Sequence, residues 1–267
     1  MVYIKSDRGG FGTGFIIGIR MGTNASGLGL YSPFLVTNRH VIKDTEILDL
    51  TLNTQSGCHT AKANTADWEV STDGCDVAVL SLNGQYLNDI QSAENLIPED
   101  QIIVSQENFL SDVKTGQEVF LLGFPLGITG IEKTYAIARM GIVARNDKEL
   151  IKEGIFYLDI ENFPGNSGGP VFVKPSVFHF EGEDPLNHSK LIGFVSAYKP
   201  SQTQLYDIRT NPPTPKMVIE ENSGIALAIP AYKAVELAKK KIERDAMRHR
   251  SVSTPQQKAV SPKKVIK

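Results

Sequence analysis

Cysteine is nearly absent from this chain of 267 residues, which contains only Cys58 and Cys75. Two thiols are too few for the disulfide framework of a small secreted domain, so we expect a reducing compartment. Cys58, His59 and Cys75 together suggest a zinc site at first sight. Adjacent residues of a strand point to opposite faces, however, and a fourth ligand is missing. We therefore predict no metal and no cofactor.

Long hydrophobic runs are also absent, and no stretch approaches the roughly 18 continuous apolar residues that would suggest a membrane span. The first ten residues, MVYIKSDRGG, contain neither the apolar core nor the small-residue cleavage site of a signal peptide. If Met1 is the true start, we expect a cytoplasmic protein that does not bind membranes. A chain trimmed of its leader would look the same, and this alternative stays open.

A strong excess of one charge is missing from the chain as a whole, whose net charge is −2 at pH 7. The C-terminal part differs, because Lys239–Lys267 holds ten Lys or Arg residues against two acidic ones. Residues 249–267 are rich in Ser, Pro, Gln and Lys and cannot bury enough apolar surface to fold, so we predict a disordered basic tail. The tail lacks interleaved aromatic residues, and we expect it to be solvated rather than to bind nucleic acid.

Helical periodicity is missing from most of the chain. Short runs rich in β-branched and apolar residues recur between Gly10 and Ala228, and Gly, Pro, Asn or Asp punctuates the gaps. Many short strands without helices between them predict an all-β sandwich or a pair of barrels. The predicted strands are Gly14–Ile19, Phe34–Thr37, Glu46–Leu52, Asp76–Leu82, Glu118–Gly123, Ala138–Ala144, Ile155–Ile160, Gly169–Val173, Leu191–Ala197 and Gly224–Ile229.

The polar interval Asn83–Val113 predicts a boundary between two β subdomains, residues 1–112 and residues 113–229. A single convincing helix follows at residues 230–248, because Pro230 suits a first helical position and apolar residues then recur at helical spacing. Two further intervals, Lys174–Lys190 and Lys199–Ser223, are longer than ordinary hairpin connections. We predict them to be loops that select substrates or regulate the protein, or else plain surface insertions.

The segment Pro164–Pro170, PGNSGGP, carries the most specific chemical signal. A serine hydroxyl is a poor nucleophile until a base takes its proton, and the tetrahedral intermediate needs donors for its negative oxygen. Glycines on both sides of Ser167 allow backbone conformations in which N–H groups converge. We predict an oxyanion hole from Gly165 and Ser167, with Asn166 between them. A plain hairpin turn has similar composition, so this segment alone leaves both interpretations open.

His40 is the candidate base, since it follows an apolar strand that ends in polar residues and so stands on a rigid scaffold. Asp76 enters the apolar run VAVL, where a charge is costly unless it is paired, and it is the candidate partner of the imidazole. Taken alone, the His40 ring could instead hydrogen-bond to a nearby backbone carbonyl, and Asp76 could face solvent or cap a turn.

Chain order separates two hydrolase folds. The residues around Ser167 also fit the G-x-S-x-G elbow, but that fold requires the order Ser, acid, His with alternating helices. The order here is His40, Asp76, Ser167, which is the chymotrypsin order. We therefore reject the elbow and predict a serine endopeptidase that works through an acyl-enzyme.

The chain resembles the trypsin-like peptidases, and within them the bacterial HtrA-type protease domain. The matching segments, in order, are GTGFII at 12–17, VTNRHV at 36–41, DVAVL at 76–80, GFPLG at 123–127, GNSGGP at 165–170, LIGF at 191–194 and GIALAIP at 224–230. The resemblance implies an all-β fold of two six-stranded antiparallel Greek-key barrels, as in chymotrypsin, followed by the helix. His40 and Asp76 would come from the first barrel and Ser167 from the second.

The resemblance also has limits. We see no PDZ domain after the protease part, no leader, and no zymogen-type Ile-Val-Gly-Gly terminus, so activation by cleavage is not expected; ordering by an activating partner or by the substrate stays open. A protein or peptide substrate is the expected partner. A catalytically silent peptide-binding module and an esterase on the same fold are the alternatives.

Specificity is only weakly encoded. By resemblance, the residue six positions before the nucleophile lies at the base of the S1 pocket, and here it is Glu161, which would attract Lys or Arg. The favoured alternative is that Glu161 faces water and that an apolar P1 residue is preferred. The same resemblance implies pocket walls from Phe194, Val195, Ser196 and Ala197 and from Ile225, Ala226 and Leu227.

Overall fold

A computed structural model describes residues 1–54, 57–82, 96–175, 189–212 and 214–252 of the chain. In its first part the strands are β1 (Val2–Ser6), β2 (Phe11–Thr23), β3 (Gly29–Thr37), β4 (Ile47–Thr54), β5 (Gly57–Asn64), β6 (Trp68–Val70), β7 (Ala78–Ser81) and β8 (Leu96–Pro98), with the one-turn helix α1 (Arg39–Ile42) after β3. The second part contains α2 (Gln106–Asp112), β9 (Glu118–Gly123), β10 (Ile137–Arg145), α3 (Lys148–Lys152), β11 (Phe156–Asp159), β12 (Pro170–Val173), β13 (Leu191–Asp207), β14 (Thr214–Pro230) and α4 (Ala231–Val252).

The strands form two separate β-structures, which confirms the predicted all-β class. The second is a closed barrel of six strands in the order β10-β11-β14-β13-β12-β9, as predicted. The first is an eight-stranded sheet in the order β5-β4-β1-β2-β3-β7-β6, with β8 added in parallel to β2, and the described residues do not close it into a ring. Every other strand pair is antiparallel within the described part of the chain.

The central strands of the first sheet are apolar without alternation because both of their faces are covered. In β2, Ile16 packs into the core of the first sheet, while Phe15 and Ile17 pack on the opposite side. β3 repeats this arrangement, with Leu35 on one side and Val36 on the other. Successive side chains of a strand point to opposite faces, so a continuous apolar run indicates two buried faces.

The second face of these strands packs against the second barrel and against α4. The shared core includes Phe15, whose ring lies 5.8 Å from that of Phe194 in β13, and the helix residues Ala234 and Val235. α4 begins at Ala231, directly after Pro230, and runs to Val252, four residues beyond the predicted end. The helix therefore joins the two β-structures, and the predicted tail beyond it lies outside the described residues.

Several elements differ from the predictions. β1 and β5 were not predicted, and α2 packs Phe109 into the core of the second barrel although the predicted boundary placed residues 106–112 with the first unit. The interval 199–223, predicted to be a loop, consists mostly of two paired strand extensions of β13 and β14. The other predicted loop, 174–190, falls mainly outside the described residues. No helix in the described part is both long and apolar enough to cross a membrane.

Candidate active site

His40 stands at the point where a buried strand gives way to polar residues. β3 ends at Thr37, the fully buried Asn38 follows, and His40 is the second residue of α1. Its side chain is 47% exposed, so the ring is anchored at one end and accessible at the other. The sequence pattern predicted this placement, because a strand buried on both faces must end in polar residues where it reaches solvent.

Asp76 contacts His40 at two points. The Nδ1 atom of the His40 ring lies 2.6 Å from Asp76 Oδ2, and the backbone N–H of His40 donates to Oδ1 at 2.8 Å. One carboxylate therefore holds both the ring and the backbone of the histidine. An Nδ1 hydrogen bond of this kind places the second ring nitrogen, Nε2, in the position of a proton acceptor. The structure thus brings together two of the three predicted residues.

Two further residues hold Asp76. Ser196 donates its hydroxyl hydrogen to Asp76 Oδ2 at 2.6 Å, and the side-chain amide of Asn38 donates to the backbone carbonyl of Asp76 at 3.0 Å. Burial alone raises the pKa of the Asp76 carboxyl. The hydrogen bonds from His40 and Ser196 and the charge of His40 outweigh burial, so the pKa lies below its ordinary value of 3.8. Asp76 is therefore ionised at neutral pH.

Ser167 lies in the second of two consecutive tight turns, which the Gly169 N–H closes on the carbonyl of Asn166, and the shape of the first turn follows from its sequence. The Asn166 N–H donates to the carbonyl of Phe163 at 3.1 Å, and Gly165, the third residue of this turn, has a φ of 98°. Proline at the second position and glycine at the third are the signature of a type II turn, which requires positive φ at the third residue. A side chain at Gly165 would also clash with the carbonyl oxygen of Phe124. Only glycine satisfies both conditions.

Backbone N–H groups in this segment fall into two sets. Those of Asn166, Gly168 and Gly169 donate to carbonyl oxygens, whereas those of Gly165 and Ser167 have no acceptor within the described residues. The carbonyls that precede the two free groups are themselves fixed, since Pro164 accepts from Leu126 at 2.6 Å and Asn166 accepts from Gly169 at 2.7 Å. In a trans peptide the C=O and N–H point in opposite directions, so these contacts also fix where the two free N–H groups point.

The three predicted oxyanion residues differ in their backbone contacts. Gly165 and Ser167 each keep an N–H group that no described residue engages. The N–H of Asn166 is used to close the turn and supplies no donor, because the type II turn needs that hydrogen bond. Asn166 is 1% exposed, so its place between the two donors is structural.

Thr13 of β2 ties this turn to the first sheet. Its backbone N–H donates to the carbonyl of Ser167 at 2.8 Å, and its hydroxyl donates to the carbonyl of Gly165 at 2.7 Å. The same hydroxyl accepts from the N–H of Phe124 at 3.1 Å, and the residue is fully buried. The carbonyl of Thr13 in turn accepts from the hydroxyl of Thr37 at 2.8 Å. One residue of the first sheet therefore fixes the serine-containing turn of the second barrel.

The Ser167 hydroxyl points towards β13. It donates to the backbone carbonyl of Ser196 at 3.2 Å, and no hydrogen bond joins it to His40 among the described residues. Ser196 consequently touches both halves of the site, with its hydroxyl on Asp76 and its carbonyl on Ser167. The structure links the three predicted residues through Ser196, but it does not form the direct contact between His40 and Ser167.

The predicted pocket walls are only partly accessible. Phe194, Val195 and Ala226 have no exposed surface and belong to the hydrophobic cores, so they cannot line an open pocket. Ser196 is 8% exposed, and the following residue, Ala197, is exposed. β13 is buried continuously from Leu191 to Ser196 and exposed from Ala197 to Tyr206, so the accessible part of the predicted wall begins only at Ala197.

Glu161 faces solvent. Its side chain is 69% exposed, and Oε2 forms an ion pair with Nη1 of Arg139 at 2.8 Å. The next residue, Asn162, is buried instead and donates its side-chain amide to the carbonyl of Ala197 at 3.1 Å. The residue six positions before Ser167 is therefore a carboxylate that faces solvent, and its buried neighbour Asn162 makes the hydrogen bond to β13.

Three residues of the site were not assigned these contacts from the sequence: Thr13, Asn38 and Ser196. Thr13 had a detectable signal, because it lies between Gly12 and Gly14 at the start of a strand. A side chain at Gly12 would press on Val41 and approach the Ser167 carbonyl, so glycine there indicates close packing. Ser196 was predicted to line the pocket, and no pattern in the sequence connects it with Asp76.

The fold and the site define a two-unit β-protein with a histidine–aspartate pair on one unit and a glycine-flanked serine turn on the other. The family model for the trypsin-like peptidase domain matches residues 12–174, which is more than half of the chain. The chain belongs to the trypsin-like peptidase family, as the sequence motifs indicated. A search among curated proteins found no match.

Solved structures with similar folds include two proteases. One is an HtrA-type protease, AlgW, as a serine-to-alanine variant with a decapeptide; it is 17% identical, with a TM-score of 0.48, over 91% of this chain and 63% of its own. The other is the MamO protease domain from Magnetospirillum magneticum in its apo form; it is 15% identical, with a TM-score of 0.45, over 88% of this chain and 93% of its own. The chain thus spans less than two thirds of the length of the first protein.

Proposed function

We propose that the protein is a serine endopeptidase in which Ser167 is the nucleophile, His40 the general base and Asp76 the residue that orients it. One observation carries the proposal. Hydrogen bonds connect His40, Asp76, Ser196 and Ser167 across the two β-structures, next to two backbone N–H groups without an acceptor in the described part. This arrangement meets the requirement that a nucleophile, a base and its orienting group stand in one cluster.

The acid–base step follows from the contacts of His40. Because Nδ1 is bound to an ionised carboxylate, Nε2 takes the proton of Ser167 when the serine oxygen attacks a peptide carbonyl. Asp76 stabilises the imidazolium that results, and its own lowered pKa keeps it ionised. His40 then returns the proton to the leaving amine, which leaves an acyl-enzyme on Ser167 that water hydrolyses.

The negative oxygen of the tetrahedral intermediate would be held by the N–H groups of Gly165 and Ser167. Preorganised donors in a fixed position stabilise this charge without having to reorganise during the reaction. The contacts that fix the flanking carbonyls of Pro164, Gly165 and Asn166 provide that preorganisation. Thr13 acts here as a positioning residue, since it holds the turn and donates nothing to the substrate.

The hydroxyl of Ser167 must turn before it can react. In the free protein it donates to the carbonyl of Ser196, on an edge of β13 that no strand of the described residues pairs with beyond Val195. A peptide that pairs with this edge supplies its own N–H to that carbonyl and releases the serine hydroxyl towards His40. Catalytic hydrogen bonds often tighten only in the substrate complex, so the free geometry is compatible with the proposed base.

Covalent labelling tests the proposal directly. A fluorophosphonate probe should label the wild-type protein at Ser167, and the label should disappear in Ser167→Ala. Ser111→Ala, which alters an exposed serine in α2, serves as the matched control and should be labelled like the wild type. A folded wild-type protein that takes up no label, with or without a library of peptides present, contradicts the proposal.

A catalytically silent peptide-binding module is the second candidate. The observation that favours it is the hydrogen bond of Ser167 to Ser196 instead of His40. Such a module would add a peptide to the open edge of β13 by backbone pairing. It predicts peptide binding without labelling and without cleavage, whereas the endopeptidase predicts all three.

A further inference from the structure

The loop that carries Asp76 is shaped by one acidic side chain. It connects β6 to β7 over residues 71–77, and we call it the Asp76 loop. Within it, Oδ1 of Asp73 accepts from the hydroxyl of Ser71 at 2.5 Å and from the backbone N–H of Cys75 at 3.1 Å. A carboxylate that accepts from its own neighbours in this way replaces backbone contacts in a tight turn. One oxygen of Asp73 therefore sets the shape of the turn that leads into Asp76.

The other oxygen of Asp73 reaches α4. The ammonium group of Lys233, in the first turn of this helix, donates to Asp73 Oδ2 at 3.1 Å. The Lys233 side chain is only 18% exposed, whereas that of Asp73 is 47% exposed. The loop is therefore tied to the helix by a lysine whose own position is fixed by packing.

Both members of this ion pair are charged at neutral pH. The hydrogen bond from the Ser71 hydroxyl is the main cause that holds the pKa of Asp73 well below its ordinary value of 3.8, against the opposing effect of burial. Burial lowers the pKa of Lys233, but the hydrogen bond to Asp73 and the negative charge beside it outweigh burial, so this pKa lies above 10.5. The contact is thus a charge-assisted hydrogen bond.

A turn of the second barrel meets the loop and the helix at the same place. Gly154 lies between α3 and β11 and has a φ of 73°. A side chain at this position would lie 2.5 Å from the sulfur of Cys75 and 3.3 Å from Cε of Lys233. Glycine permits both the conformation and the close approach. The Asp76 loop, α4 and the second barrel therefore form one packed junction behind Asp76.

Asp76 is held from two directions. His40 and Ser196 bind its carboxylate in the candidate active site. On the other side, Asp73 lies only three residues away along the chain and ties the loop to α4. The hydrogen bonds within the loop set its shape, whereas the ion pair with Lys233 sets where the loop lies relative to the helix. A group that orients a base must stay within about 0.5 Å of the productive position.

We propose that Lys233 is a positioning residue of the candidate active site: by holding Asp73, it fixes the Asp76 loop so that Asp76 meets Nδ1 of His40. The inference rests on the proposed peptidase function and adds a residue of α4 to it. Lys233 acts through Asp73 and is not itself a catalytic residue. An ion pair with a half-exposed carboxylate contributes little to the free energy of unfolding, so its loss is expected to affect activity more than stability.

Lys233→Met tests the inference, because methionine keeps an unbranched apolar side chain and removes the charge. The rate at which a fluorophosphonate labels Ser167, and kcat for a library peptide that the wild type cleaves, should both fall about tenfold, since a displacement of about 1 Å costs up to about 10² in rate. KM should stay constant, because the change does not touch peptide binding. An unchanged kcat in the folded variant, or a higher KM with an unchanged kcat, overturns the inference.

Lys239→Met is the matched control on the same helix. Lys239 forms an ion pair with Glu99, which lies outside the Asp76 loop. If Lys233 acted only by keeping α4 docked, both variants would lower kcat alike. We expect Lys239→Met to keep the kcat of the wild type, and an equal loss in the two variants contradicts the proposed role.

Asp73→Asn shows whether Lys233 acts through Asp73. Asparagine keeps an oxygen for Ser71 and Cys75 but removes the charge with which Lys233 pairs. This variant should also lose about tenfold in kcat, and adding Lys233→Met to it should cause no further loss. Losses that multiply in the double variant show that the two residues act independently, and they overturn the inference. Should Lys233→Met not fold, an unchanged kcat in Asp73→Asn has the same force.

Proton NMR separates this inference from the proposed function, because it does not depend on catalysis. The proton between Nδ1 of His40 and Oδ2 of Asp76, in a hydrogen bond of 2.6 Å, gives a resonance at low field. The resonance should persist in Lys239→Met and weaken or disappear in Lys233→Met. If the wild type takes up no fluorophosphonate while the resonance depends on Lys233, the proposed function fails and the positioning role stands. If all variants are labelled at the wild-type rate and keep the resonance, the positioning role alone is refuted.

Discussion

Replacing Thr13 by valine tests whether the serine-containing turn depends on the first sheet. The Thr13 hydroxyl makes two hydrogen bonds, donating to Gly165 and accepting from Phe124, and the residue has no exposed surface. Valine has the same branched shape and keeps the backbone N–H that donates to Ser167, but it offers no hydrogen bond from its side chain. The substitution therefore removes these two contacts and little else.

The loss of these two hydrogen bonds sets the expected decrease in stability and in kcat. Two buried polar groups lose their partner, and each unsatisfied group costs about 1–3 kcal/mol. We expect the free energy of unfolding to fall by about 2–6 kcal/mol, and a domain with the ordinary stability of about 5–15 kcal/mol stays folded over most of that range. Loss of one oxyanion donor costs about 10²–10³ in kcat, and Thr13 only positions such donors, so we expect a decrease of about 10–10² in kcat.

The assay compares kcat, KM and inhibitor binding in Thr13→Val and Thr13→Ser. In the valine variant kcat should fall while KM stays constant, and the affinity for a peptide boronate should fall in proportion to kcat, because both depend on the oxyanion donors. The serine variant keeps the hydroxyl and should retain most of the activity. An unchanged kcat in a folded valine variant, or an equal loss in the serine variant, refutes the reasoning.

Three further substitutions test the site and its surroundings. Asp76→Asn should lower kcat by about 10³–10⁴. Because the folded pKa of Asp76 lies below 3.8, its carboxylate stabilises the wild-type fold above that pH, and this stability is lost as the pH falls further. The variant should therefore lose less free energy of unfolding on acidification, which urea unfolding at several pH values would measure. Glu161→Gln should leave the P1 preference in a peptide library unchanged, since the carboxylate is exposed and paired with Arg139; a loss of preference for Lys or Arg would contradict this. Burial raises the pKa of Tyr232 to about 12 from 10.0, so the wild type should lose stability as pH rises from about 10 to 12, and Tyr232→Phe should lose less over that range.

The positions of His40 and Asp76 could be predicted because they depend on local sequence. A strand that is apolar throughout must be buried on both faces, and a polar residue at its end has to meet solvent or a partner. His40 follows β3 and Asp76 precedes β7, and these strands are neighbours in the sheet. The end of β3 lies beside the start of β7 because the two strands are antiparallel neighbours. The contact between His40 and Asp76 therefore followed from the strand pattern and the chain order.

The contacts of Thr13 and Ser196 could not be predicted in this way. The hydrogen bond from Thr13 to Gly165 spans 152 positions of the chain, and the bond from Ser196 to Asp76 spans 120. Each depends on how the second barrel docks against the first sheet, which strand periodicity does not specify. Glycines around Thr13 indicate a close approach, but they do not identify which group approaches.

The extensions of β13 and β14 beyond the barrel, Lys199–Asp207 and Thr214–Ser223, escaped prediction for a different reason. Their residues alternate between polar and apolar only weakly and none of them is buried, so the usual signature of a half-buried strand is absent. β5 was missed for the same reason, because only Ala63 of its eight residues is buried. Strands that do not contribute to a core are held by backbone pairing to a neighbour, and the hydropathy pattern of the sequence does not reveal that pairing.

The arrangement of the site explains why the C-terminal helix matters. Groups from the first sheet must stay within hydrogen-bond distance of groups from the second barrel, and an error of about 1 Å in such positions lowers activity strongly. α4 packs its apolar residues into the core that contains Phe15 of β2, Val79 of β7 and Phe194 of β13. These strands carry or flank Thr13, Asp76 and Ser196. The helix therefore fixes the relative position of the two β-structures at the strands on which the site depends, which gives it a functional role without contact to the substrate.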